Sequence, residues 1–324
     1  MRIALPPAIS AQAFAGRDAA APVAALAGET MGTTWSVRFA RPPHVDPQAL
    51  RASIVARLGG LVGEMSHWEA GSLLAWFNRA AAGQWIVLPP DFAQVMAEGL
   101  AIAGRSGGAF DPAIGRIVNL WGFGPVAAPR PPSDDEIDAA RALAGWQRLA
   151  YDAPARRLRQ PGGVMLDLSG IAKGHAVDVL ADLLEASGVR HALVEIGGEL
   201  AGRGVRPDGD PWWVDLEVPP GLDVPPLRIA LHGLAVATSG DYRRGAHSLD
   251  PRTGRPITHG TVSVSVLHDT ALRADAWATA LTVFAPDEAM TLAAREGIAA
   301  RLLIVADGET RELVTPALAA MLED

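Results

Sequence analysis

The chain has 324 residues, 49% of them hydrophobic and 20% charged, with a formal net charge of -8 and no cysteine. This balance describes a folded globular protein and excludes disulfides, thiolate metal sites and a cysteine nucleophile. The acidic surplus, with no run of Lys or Arg, excludes an extended nucleic-acid surface, so an anionic ligand must be held locally by backbone dipoles, a metal or single cations.

The first 28 residues are rich in Ala and Pro and read as a flexible N-terminal tail. Pro6-Pro7, Gln12 and Arg17 interrupt each apolar run before it reaches secretory length. No window approaches the roughly 20 apolar residues that span a bilayer, so no integral membrane segment is expected. Residues 29–324 are read as one catalytic domain. Its first strand is expected over Thr30–Ala40, alternating around Trp35, Val37 and Phe39. Asp46-Pro47 then offers an N-cap with Pro at the first helical position, ahead of an apolar face of Leu50, Ile54, Leu58 and Leu61-Val62. A second helix is expected after Pro89-Pro90-Asp91, with Phe92, Val95, Met96 and Leu100 on one face.

Val126–Pro132 reads as a Pro-rich loop, and Ser133-Asp134-Asp135-Glu136 has the composition of a helix start. From Val164 the pattern predicts strand, helix (Ile171–Ser187) and strand (His191–Ile196), then Gly197-Gly198. Further strands are predicted over Trp212–Val218, Leu227–Leu231, Thr261–Leu267 and Arg301–Val305, and a helix over Ala271–Phe284. Strands clustered late and helices placed irregularly indicate an α+β fold.

Three segments concentrate the chemistry. In Asp167-Leu168-Ser169-Gly170-Ile171-Ala172-Lys173-Gly174, Ser169 is placed to cap a helix whose N-terminal amides and dipole favour a phosphate. An ordinary capped helix also explains Ser169, but leaves Asp167 and Lys173 without a purpose. In Ala274-Asp275-Ala276-Trp277-Ala278-Thr279, Asp275 and Thr279 share one helix face. The apolar neighbours predict that Asp275 is buried, which is costly unless the carboxylate is paired or binds a cation. A hard, oxygen-seeking Mg²⁺ would satisfy it; so would a base such as Arg273. His247-Ser248-Leu249-Asp250-Pro251-Arg252-Thr253-Gly254 reads as a turn, which by itself needs neither His247 nor Arg252. A histidine is a natural general base for an attacking hydroxyl.

Upstream, Met65-Ser66-His67-Trp68 precedes a helix capped at Ser72, and Trp68 could stack on a flat ring. Trp76, Phe77, Trp121 and Phe123 are expected in the core. His175 and His191 show no metal spacing, and neither a Walker-type phosphate loop nor a Gly-x-Gly-x-x-Gly fingerprint is present.

Together these segments resemble the FAD:protein FMN transferases, the ApbE-like flavin transferases, from about Thr30 to the last strands. Six motifs occur in that family's order: Met-Gly-Thr at Met31, Met-Ser-x-aromatic at Met65, Ala-Phe-Asp-Pro at Ala109, Asp-Leu-Ser-Gly-Ile-Ala-Lys-Gly at Asp167, His-x-x-Asp-Pro-x-Thr-Gly at His247 and Ala-Asp-Ala-x-x-Thr at Ala274. The resemblance implies two intertwined α+β parts with the flavin site between them. It implies FAD contacts from Met31, Trp68, Ala109, Phe110, Asp111, Asp167, Lys173 and Leu249, and magnesium held by the Gly170 carbonyl, Asp275 and Thr279. The implied reaction is Mg²⁺-dependent transfer of FMN from FAD to a Thr or Ser hydroxyl of an acceptor flavoprotein, a redox-complex subunit, with release of AMP and with His247 as base. An FAD pyrophosphatase giving FMN and AMP, a non-enzymatic FAD-binding protein, and a Mg²⁺ phosphoesterase acting on another nucleotide are the rival readings. The segment between Tyr242 and His247 is shorter than in many relatives, which bears on acceptor recognition. The family resemblance points to the periplasm, whereas the missing lipid-modifiable Cys and secretory leader leave the cytoplasm open.

Overall fold

A computed structural model describes residues 2–6, 8, 10–240, 248–306 and 308–323. The helices in chain order are α1 (Pro47–Met65), α2 (Leu73–Arg79), α3 (Pro90–Arg105), α4 (Gly115–Leu120), α5 (Asp134–Leu143), α6 (Ala172–Ala186), α7 (Ala271–Val283), α8 (Pro286–Glu296) and α9 (Pro316–Ala319). With the sheets described below they make an α+β fold. The chain divides into two compact units that interleave in sequence: Met1–Gly59, Lys173–Tyr242 and His259–Asp324 form the first, Gly60–Ala172 and Arg243–Thr258 the second.

The first unit is built on an eight-stranded sheet whose neighbouring strands all run antiparallel. Its order is Glu309–Val314, Ala299–Ala306, Thr261–His268, Leu234–Ser239, Glu199–Arg203, Ala192–Ile196, Thr33–Ala40, Val23–Thr30. Trp35, Val37 and Phe39 point into the core as their alternation predicts. Helix α7 packs on the two strands Leu234–Ser239 and Thr261–His268. A four-stranded sheet joins Arg2–Ala4 in parallel to Leu227–Leu231, with Leu322–Glu323 and Trp212–Asp215 outside them.

The first 28 residues, expected as a flexible tail, therefore carry two strands. Their pattern escapes a reading of hydrophobic alternation because half of Val23–Thr30 is Ala and Gly, which bury little side chain on either face. The hairpin Val23–Ala40 turns at Met31-Gly32, where both residues have positive φ (50° and 71°) as a tight two-residue turn requires.

The second unit is helical around a small sheet of order Trp85–Val87, Arg157–Arg159, Ala150–Asp152. In α3, Phe92, Val95 and Met96 are buried, and α5 begins with the reciprocal Ser133/Glu136 capping box. The strand expected from Val164 reduces to one isolated bridge between Met165 and Ile114. Its polar backbone is satisfied instead by a side chain and a neighbouring loop. Asn78 Nδ2 donates to the Leu166 carbonyl (3.0 Å), Leu166 N donates to Asn78 Oδ1 (2.7 Å), and Asp167 N donates to the Pro112 carbonyl.

Of the four aromatics expected in the core, Phe77 is fully buried, but Trp76 and Phe123 are exposed and Trp121 is half-buried. Helix α2 spans seven residues and buries one face, Leu74, Ala75 and Phe77, so its neighbour Trp76 points away. The Trp121 indole N–H donates to the Gly254 carbonyl (2.8 Å), a polar anchor that a purely apolar reading omits.

Candidate functional site

In the first unit, α6 and α7 meet at Gly174. A Cβ there would lie 2.2 Å from the Ala271 carbonyl oxygen and 2.8 Å from Asp275 Cβ, so glycine is what lets the backbones approach. The approach lets Gly174 N donate to Asp275 Oδ2 (3.0 Å). Asp275 is 4% exposed, as its apolar surroundings predict, and burial pushes its pKa up. Thr279 follows one turn later on the same face of α7.

Sequence reasoning overlooked Glu199, which heads a strand after the Gly197-Gly198 turn and is ion-paired with Lys173. Burial drives the Glu199 pKa up to about 7, Lys173 opposes the rise, and Asp275 reinforces it. Lys173 also draws the Asp275 pKa down, so one ammonium faces two buried carboxyls. The available signal was an acidic residue beside a Gly-Gly turn at an inward strand position.

Asp178 was overlooked as well. From α6 its carboxylate accepts Ala271 N and Leu272 N, each at 2.9 Å, at the start of α7. Burial raises its pKa to about 6. Met31, expected to touch FAD, is half-buried in the strained hairpin turn.

The second unit holds the remaining candidates. Trp68 is 63% exposed, outside any helix, its ring centroid 5.3 Å from that of His67. His67 Nδ1 in turn lies 3.8 Å from Asp167 Oδ1. Asp167 Oδ1 accepts both the Ser169 amide (2.8 Å) and the Ser169 hydroxyl (2.5 Å). The hydroxyl expected to cap α6 is thus committed to Asp167, and the Leu168 carbonyl accepts Ile171 N and Ala172 N through a turn containing Gly170.

Ala109, Phe110 and Asp111 are buried. Asp111 Oδ1 accepts Ala113 N (2.7 Å) and Oδ2 accepts Trp146 N (3.1 Å), so this carboxylate organises two loops, while burial lifts its pKa to about 6. Leu249 is buried with Ile117 and Ala140. The turn after it closes as expected, with Gly254 N donating to the Asp250 carbonyl (2.7 Å). Arg252 has a structural use there, its guanidinium gripping both Asp250 oxygens (2.9 and 3.0 Å). His247 lies outside the described residues.

No group of three or more His, Cys, Asp or Glu side chains converges among the described residues. A cation held by Asp275 would therefore have to complete its ligands with hydroxyl and carbonyl oxygens. Gly170, Asp275 and Thr279 supply only oxygen donors, a set whose chemistry fits Mg²⁺. The buried, burial-raised Asp275 carboxylate is the group such a charge would relieve.

Residues 31–302 match the ApbE family. The chain belongs to this family. An ApbE relative from Vibrio cholerae serotype O1, named FAD:protein FMN transferase, is 35% identical over 311 residues, covering 92% of each chain. The solved structure of the flavin transferase ApbE from Vibrio cholerae superposes with a TM-score of 0.87 at 34% identity, covering 93% of this chain and 99% of that one. The apo flavinyl transferase ApbE of Pseudomonas stutzeri reaches the same TM-score at 38% identity, covering 93% and 97%. The ApbE match confirms the α+β class expected from sequence.

Proposed function

We propose that this chain is an enzyme that transfers FMN from FAD to a Thr or Ser hydroxyl of an acceptor flavoprotein, releasing AMP with the help of Mg²⁺. The observation that carries the reading is Asp275, a carboxylate enclosed at the Gly174 crossing beside Lys173, in a chain of the ApbE family. Asp275, Thr279 and the Gly170 carbonyl would hold the metal. Magnesium, when bound, would offset negative charge on the phosphate oxygens.

The protein's own residues have separate tasks in this reading. Trp68 offers an exposed ring for the isoalloxazine, supported by its 63% exposure. Met31, Ala109, Phe110, Asp111, Asp167, Lys173 and Leu249 position FAD. Lys173, already oriented by Glu199, places a cation near the phosphates. The acceptor oxygen forms a bond to the flavin-side phosphorus, the bond from that phosphorus to the oxygen shared with AMP breaks, and the hydroxyl proton passes to His247.

The test is incubation of the purified protein with FAD and Mg²⁺, with and without a candidate acceptor domain, following AMP, free FMN and protein-bound flavin. Acceptor-bound FMN together with AMP is expected. AMP with free FMN alone would make the activity a pyrophosphatase. FAD binding without AMP would leave a carrier.

A further inference from the structure

The strand Trp85–Val87 is the edge of the second unit's small sheet, and one of its edges has no strand beside it among the described residues. The ladder fixes which of its groups are spent. Leu88 N donates to the Arg156 carbonyl (2.7 Å) and Gln160 N donates to the Gln84 carbonyl (2.9 Å), so hydrogen-bonded pairs fall at Gln84, Ile86 and Leu88. The amides and carbonyls of Trp85 and Val87 therefore point away from the sheet, and among the described residues they have no hydrogen-bond partner.

Side chains on this edge are unusual for a protein surface. Trp85 is 42% and Val87 69% exposed, while the intervening Ile86 is buried. The register places Arg159 opposite Trp85, and Arg157 and Asp152 in line with Val87, all on the outer face. Arg157 pairs with Asp152 (2.8 Å) and also lies over the Trp85 ring at 4.8 Å. The outer face thus carries two guanidinium groups and one carboxylate, a local positive surface on a chain of net charge -8.

We propose that this edge docks an extended acidic segment of a partner protein, which adds as a fourth strand beside Trp85–Val87. Its backbone would take the outward groups of Trp85 and Val87. Its Glu or Asp side chains would emerge on the outer face, where Arg157 already reaches across the intervening strand; two strand spacings are roughly 10 Å. Its alternate residues would be apolar, over the side that buries Ile86. A second copy of this chain is the poorer occupant, because edge-to-edge pairing would bring the Arg157 and Arg159 groups of two copies onto one continuous face. The short edge limits pairing to a few residues and restrains indiscriminate aggregation.

The test uses the whole protein and a fluorescein-labelled peptide alternating Glu with Val. Fluorescence polarisation should show saturable binding, and hydrogen exchange should slow at the amides of Trp85 and Val87. Val87→Pro removes an outward donor without touching the inner ladder, and should weaken binding about tenfold with unchanged melting temperature. Arg159→Glu should weaken it by a similar factor, and a peptide with Lys for Glu should not bind. Absence of saturable binding, equal binding of the Lys peptide, or binding indifferent to Val87→Pro would overturn the proposal. Protection of the same amides that rises with protein concentration and needs no peptide would assign the edge to a second copy instead.

Discussion

Asp275 shows how one residue can be legible in a sequence. An acid placed among Ala, Trp and Leu on a helix has to be buried, and the structure encloses it with the Gly174 amide, the Lys173 ammonium and the Glu199 carboxyl close by. Asp275→Asn keeps the shape and an oxygen able to accept the Gly174 amide, so the melting temperature should change little while Mg²⁺-dependent AMP release disappears. Retained turnover, titrated against Mg²⁺, would remove Asp275 from the metal group. Asp111 makes a different prediction. Its folded pKa of about 6 stands above the ordinary 3.8, so its contribution to stability is fully present below about pH 4 and is lost as pH rises through 6. Relative to Asp111→Asn, whose side chain stays neutral, the native protein should lose ~2 kcal/mol of unfolding free energy between pH 4 and 7. Urea melts of both proteins across that range would check the difference; parallel pH profiles would refute it. The sequence marks Glu199 by its place beside a Gly-Gly turn, but the tasks of Glu199 and Asp178 depend on Lys173 and on the start of α7, partners distant in sequence that only the fold supplies.

Helices were readable where the sequence punctuates them. Asp46-Pro47 and Ser133 with Glu136 carry their capping chemistry locally, and α1 and α5 begin there. The Ala- and Gly-rich strand Val23–Thr30 and the bridged stretch around Met165 lack such marks, since their order comes from neighbours that pair with them. The crossing of α6 and α7 belongs to the same class, and it is tightly determined. Gly174→Ala would press a methyl into the Ala271 carbonyl and Asp275, costing ~3 kcal/mol or more unless the helices separate. Asp178→Ala would strip two acceptors from the first amides of α7, costing ~2 kcal/mol. Chemical denaturation measures both costs. Because each change disturbs the helix that carries Asp275, each should also raise the Mg²⁺ concentration needed for half-maximal AMP release. An unaltered Mg²⁺ requirement would uncouple the crossing from the site.

At the level of the whole molecule, the six ordered motifs led to the family because each is a short contiguous string, whereas the division into two units left no local mark. The chain crosses between the units at Gly59, Ala172, Tyr242 and Thr258, so neither unit is a contiguous piece of sequence. Ligand that binds only the folded state stabilises it by mass action, about 2.7 kcal/mol at a hundredfold excess over Kd. For a chain of this length that corresponds to an upward shift in Tm of roughly 5 °C. Calorimetry should therefore show FAD raising the Tm, Mg²⁺ alone doing little, and the two together exceeding FAD by itself. In Asp275→Asn the FAD shift should survive while the increment from Mg²⁺ vanishes. If both increments vanish together, Asp275 shapes the flavin site as a whole; if neither changes, the metal is held by other oxygens.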